Sequence, residues 1–122
     1  PPMACGRVRA AAAALAGRLL VCGGEGPWGY ERSTESLEPG AADWEPGPPL
    51  ALRRFGATAA AVAGRLYVGG GFAAADARGP LQAPGRLECL EPGAGWAEVP
   101  TEWLERLGEA AVAVAVARPQ KK

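Results

Sequence analysis

An internal repeat constrains this chain more than any other feature. The segment PPMACGRVRAAAAALAGRLLVCGG (Pro1–Gly24) aligns without a gap with PPLALRRFGATAAAVAGRLYVGGG (Pro48–Gly71), 47 residues further on. Arg7 falls on Arg54, Gly17-Arg18-Leu19 on Gly64-Arg65-Leu66, and Gly23-Gly24 on Gly70-Gly71. Downstream, LEPGAADW (Leu37–Trp44) matches LEPGAGW (Leu90–Trp96), the tryptophans now 52 residues apart. The extra residues fall between the double glycine and the Leu-Glu-Pro-Gly motif, where a loop insertion would sit. A third copy opens at RLGEAAVAV (Arg106–Val114), which aligns with RFGATAAAV (Arg54–Val62). Self-similarity at a period of about 50 residues marks stacked or radially arranged units, each too small to bury its apolar faces alone.

Within each unit the pattern reads as strands. The first, Arg9–Ala16 and again Ala57–Ala63, is mostly alanine, which by propensity alone favours a helix. The run AVAVAVA in the third copy has the strict alternation of a strand. Ala-Gly-Arg at Ala16–Arg18 and Ala63–Arg65 is a hairpin turn in which glycine takes a positive φ. The second strands, Leu19–Gly23 and Leu66–Gly70, are continuous apolar runs, as expected of a strand covered on both faces. Third strands follow at Thr34–Leu37 and Leu87–Leu90, then Pro-Gly turns at Pro39-Gly40 and Pro92-Gly93. An outer strand carries Trp44 or Trp96.

Composition narrows the function classes. Thirteen basic and thirteen acidic residues leave no net charge. This argues against nucleic acid or an anionic membrane as partner, since both select a basic excess. With no histidine, His general bases and His metal ligands are excluded. Glu25, Asp43, Asp76 and Glu109 fall in unrelated parts of the repeats, so no carboxylate pair converges. The three cysteines (Cys5, Cys22, Cys89) are odd in number and lack a CxxC spacing. This disfavours zinc or a disulfide framework and favours a reducing, cytoplasmic setting. The stretch Arg7–Cys22 has some character of a signal peptide, but Arg18 interrupts it and a copy recurs mid-chain.

The order of features is Arg, small-residue strand, turn, apolar strand, Gly-Gly, variable loop, Glu-Pro-Gly, Trp. In this order the chain resembles the Kelch repeat. The resemblance implies an all-β fold: a partial Kelch β-propeller of four-stranded antiparallel blades, with two full repeats plus the first strand of a third. Repeat 1 spans about 7–53, repeat 2 about 54–105, the third begins at 106–117, and 118–122 is a tail. Innermost blade strands crowd around the propeller axis, which explains the alanines. Gly23, Gly24, Gly70, Gly71, Trp44, Trp96, Arg7, Arg54 and Arg106 are then structural repeat positions. The arginines bond loop carbonyls, and the tryptophans pack between blades, as do Tyr67 and Phe55. Four to eight blades close a propeller, so this chain is expected to be part of one and, alone, to be marginally stable or to self-associate.

Function in propellers resides in loops at one end of the blades. The resemblance places there Glu25–Ser33 and Phe72–Arg86, together with the inter-blade segments Pro48–Arg54 and Pro100–Arg106. Trp28, Tyr30, Arg32, Arg53 and Phe72 are the partner-binding candidates, being aromatic and arginine residues outside the repeat pattern. Kelch domains of the BTB-Kelch family recognise substrates for cullin-3 ubiquitin ligases, and the PPM…R and PPL…R junctions are similar to that group. A protein-binding module of this kind is the expected function, with no cofactor. Actin binding, known for other Kelch proteins, is the alternative. Enzymatic relatives use His-containing metal sites that this sequence does not contain.

Overall fold

The computed structural model describes residues 1–82 and 87–99. All regular elements among them are strands. In chain order these are β1 (Ala11–Leu15), β2 (Arg18–Cys22), β3 (Glu25–Gly26), β4 (Gly29–Tyr30), β5 (Thr34–Leu37), β6 (Glu45–Pro46), β7 (Arg53–Phe55), β8 (Thr58–Val62), β9 (Arg65–Gly69), β10 (Phe72–Ala74), β11 (Leu87–Glu91) and β12 (Gly95–Val99). Two four-stranded antiparallel sheets result, ordered β1-β2-β5-β6 and β8-β9-β11-β12. They follow one plan, offset by one repeat. The fold is all-β and compatible with part of a β-propeller, and the two sheets are called blades 1 and 2 below. Arg106 and the third-copy strand at 106–117 lie outside the described residues.

Each blade opens on a two-residue hairpin. Leu15 pairs with Arg18 and Val62 with Arg65. Between them Ala16 (φ 53°) and Gly17 (φ 78°), and Ala63 (φ 51°) and Gly64 (φ 79°), all take positive φ. A turn with both central residues left-handed matches the twist of the flanking strands. Glycine adopts it freely. Alanine does so at a cost, a strain that the sequence pattern did not show.

The main core lies between the blades. Ala11, Leu15 and Cys22 of blade 1 pack with Leu66, Val68 and Leu90 of blade 2 around Leu50, which comes from the connecting segment and is wholly buried. Ala13, Leu20, Ala57, Ala59 and Trp96 border this cluster. β1 runs alongside β8. The alanines that would favour a helix in isolation here allow two backbones to approach, so tertiary packing overrides propensity. On the other face of β9, Tyr67 joins Leu87 and Val99 in a second cluster, because successive strand residues point to opposite faces. β9 is thus covered on both sides, as its continuous apolar run predicts.

Backbone bonds join the blades as well. The Gly24 N–H donates to the Arg54 carbonyl at 2.7 Å, the Arg54 N–H to Glu31 at 3.2 Å and the Leu50 N–H to Arg32 at 2.7 Å. This junction explains the double glycine. A Cβ on Gly23 would sit 2.7 Å from the Arg54 carbonyl oxygen, and one on Gly24 2.7 Å from that of Val8. Gly71 is as tight, with the Ala57 nitrogen 2.6 Å from where its Cβ would be.

Several expectations are revised. The loop Glu25–Ser33 contains the β3–β4 hairpin, and the segments around Arg53 and Phe72 pair as β7 and β10, with Phe72 opposite Phe55. Arg53 and Phe72 are therefore strand residues, held by ladder bonds that depend on tertiary contact. Trp96 lies within β12, but Trp44 stands one residue before the short β6. Phe55 is half-buried outside the inter-blade core, whereas Tyr67 is inside the second cluster.

Candidate functional site

The same buried lock occurs in both blades. In blade 1 the Arg7 guanidinium reaches the Glu35 carboxylate at 2.7 Å. It also donates to the carbonyls of Gly23 (3.0 Å) and Ser33 (2.8 Å). Glu35 accepts the backbone N–H groups of Ala4 and Cys5 as well. In blade 2 Arg54 pairs with Glu88 at 2.7 Å, both essentially without exposure, and the Ala51 N–H bonds the same carboxylate. A second pairing repeats likewise: the Trp44 indole donates to the Pro1 carbonyl at 2.7 Å, and Trp96 to Pro48 at 2.9 Å. Arg7, Arg54, Trp44 and Trp96 thus tie each blade to the segment that enters it.

Glu35 and Glu88 are the residues that sequence reasoning missed. Both open the motif Glu-x-Leu-Glu-Pro-Gly, at Glu35–Gly40 and Glu88–Gly93. That repetition could have revealed them. Burial pushes the Glu35 carboxyl up, but the amides of Ala4 and Cys5 and the Arg7 guanidinium outweigh it and hold it below the usual carboxylate range.

The loop end of the blades is built from the partner-binding candidates and two neighbours. The β3–β4 hairpin is fastened to blade 2, since the Tyr30 N–H donates to the Ala77 carbonyl at 2.7 Å. Arg53 donates to the Tyr30 carbonyl at 2.9 Å. The Tyr30 and Phe55 rings meet edge to face with centroids 5.6 Å apart, and the Arg9 guanidinium lies 5.6 Å from the Phe55 centroid. Phe72 is paired opposite Phe55 and partly exposed. Trp28, at the tip of the fixed hairpin, is 77% exposed. Arg32 is also exposed, and its carbonyl receives the Leu50 N–H. The structure therefore brings Tyr30, Arg53 and Phe72 together around Phe55. It gives Tyr30 and Arg53 packing work and leaves Trp28 projecting.

A second feature is a cleft of about 470 Å³ between the outer parts of the blades, walled by Leu20, Pro46, Pro48, Leu90 and Pro92. Its lining is mostly apolar. The three cysteines are free thiols. Burial pushes the Cys22 thiol up to about 12, and Cys5 and Cys89 are raised too, burial being the largest cause in each. Raised thiols are poor nucleophiles. Among the described residues no group of three His, Cys, Asp or Glu side chains could hold a metal ion, and no helix is long and apolar enough to cross a membrane. No protein-family model and no curated protein matches the sequence.

Proposed function

We propose that this chain is part of a Kelch-type propeller that binds a protein partner through its loop end. Trp28 carries the reading. A large aromatic side chain on a short hairpin, fixed at both sides yet left in solvent, contributes little to the fold. It has the character of an interface anchor, rigid before binding and rich in contact area. Tyr30, on the same hairpin, meets Phe55, which stands opposite Phe72, and Arg53 bonds the Tyr30 carbonyl. The repeat order and the similarity of the Pro-Pro…Arg junctions to BTB-Kelch proteins favour a more specific role. In it, the module selects substrates for a cullin-3 ubiquitin ligase in the cytoplasm. The three free thiols accord with a reducing compartment.

Affinity capture from cells with the protein in its full length tests both levels. The expected result is recovery of cullin-3 together with a second protein, and loss of that second protein alone in Trp28→Ala. Recovery of the same partners by Trp28→Ala would remove the loop-end reading. Absence of cullin-3, with Trp28-dependent co-sedimentation on actin filaments, would replace the ligase role by a cytoskeletal one.

A further inference from the structure

Position 9 departs from the repeat in a way that costs the fold something. Arg7-Val8-Arg9 aligns with Arg54-Phe55-Gly56 and, in the third copy, with Arg106-Leu107-Gly108. The backbone at this position is left-handed in both described copies, with φ 53° at Arg9 and φ 70° at Gly56. A Cβ at Gly56 would meet nothing within 4 Å. Glycine is therefore favoured there by conformation and not by lack of room. Arginine is poorly suited to that conformation, since its Cβ crowds the backbone. Blade 1 nevertheless holds an arginine where the other copies have glycine.

The surroundings say what that side chain could do. Arg9 is exposed, its guanidinium lies over the Phe55 ring, and among the described residues it pairs with no carboxylate. Arg53 and Arg32, at the same end, also form no ion pair among the described residues. The ion pairs Arg7–Glu35, Arg54–Glu88, Arg18–Glu38, Arg18–Glu45 and Arg65–Glu91 lie elsewhere, in the two buried locks and along the blades. Glu25 is bridged through its backbone to Val8, and the Glu31 carboxylate accepts the Ser33 hydroxyl. Neither forms an ion pair with Arg9. A guanidinium pre-positioned on an aromatic ring, with its donors open to solvent, suits a carboxylate arriving from outside. Backbone strain kept at such a place is a mark of binding sites.

We infer that Arg9 is the anion-recognising residue of the loop end and that the partner presents an acidic peptide segment, a carboxylate meeting Arg9 beside an apolar side chain packed on Trp28. The inference rests on the reading of the loop end as a protein-binding face, and its test separates the two. The probes are three pools of labelled octapeptides with a fixed central leucine, flanked by Asp/Glu, by Asn/Gln or by Lys/Arg. Fluorescence anisotropy measures their binding to the 122-residue chain, to Arg9→Gly and to Trp28→Ala. The acidic pool binds most tightly, and Arg9→Gly weakens it roughly tenfold while leaving the melting temperature unchanged or raised. Trp28→Ala weakens every pool. An acidic pool that binds no better than the neutral one, absence of binding included, overturns the inference. So does an Arg9→Gly variant that binds normally, or one that melts lower because the arginine serves the fold. If Trp28→Ala weakens binding and Arg9→Gly does not, the docking face stands and the acidic partner falls. If only Arg9→Gly weakens it, Trp28 is not the anchor.

Discussion

Leu19 in blade 1 is 42% exposed, whereas its counterpart Leu66 in blade 2 is fully buried. The locks beneath them are the same. Arg7 with Glu35 and Arg54 with Glu88 each hold a blade to its entering segment, and Trp44 and Trp96 each donate to a proline carbonyl. What the blades share is therefore polar and geometric, and what differs is how much apolar surface is covered and what projects at the loop end. Blade 2 has blade 1 on one face and the Tyr67 cluster on the other. Among the described residues blade 1 has one such neighbour. Shared positions specify the repeat. Arg9 and Trp28, at which the copies differ, are the positions through which we propose that a partner is specified.

The largest expected effect comes from breaking a lock. Glu88→Ala leaves the Arg54 guanidinium buried without its carboxylate and should cost about 3–5 kcal/mol by urea unfolding. Glu35→Ala should cost less, because blade 1 is the less covered of the two. Glu35 also predicts a pH dependence. Its carboxyl is depressed in the folded state, so its contribution is complete above the ordinary carboxylate range and is lost as pH falls through the lower, folded value. Glu35→Gln should flatten that acid-side decline. Equal costs for the two alanine variants would mean that the locks are indifferent to the burial around them.

The apolar pair gives the next effect. Leu66→Ala should destabilise by about 2–5 kcal/mol, through lost transfer energy and a residual cavity. Leu19→Ala should lie near or below about 1 kcal/mol, since a partly exposed side chain loses little on truncation. Similar losses at both positions would show that blade 1 is covered in solution as blade 2 is.

The legible and illegible parts of this molecule divide along physical lines. The long strands, their order and the Gly-Gly junction were legible, because they depend on alternation, turn chemistry and close approach, all of which leave a local pattern. Glu35 and Glu88 were not singled out, since a charged residue in a strand ordinarily faces solvent and their partners lie 28 and 34 residues away. The pairs β3–β4 and β7–β10 are two or three residues long and owe their pairing to the packed blades. Phe55 was expected between blades, but its neighbours Tyr30 and Arg9 are brought to it only by the fold. Arg9 left one trace, an arginine where two copies have glycine, which acquires meaning only with its positive φ.

The central claim is that blades 1 and 2 share one core through their innermost strands. Methyl–methyl nuclear Overhauser effects test it most directly. With alanine methyls labelled, the account predicts cross-peaks linking Ala11 and Ala13 of β1 to Ala57 and Ala59 at β8, in the cluster built on Leu50 and Leu66. Cross-peaks confined to each blade, with none between the two sets of alanines, would contradict it.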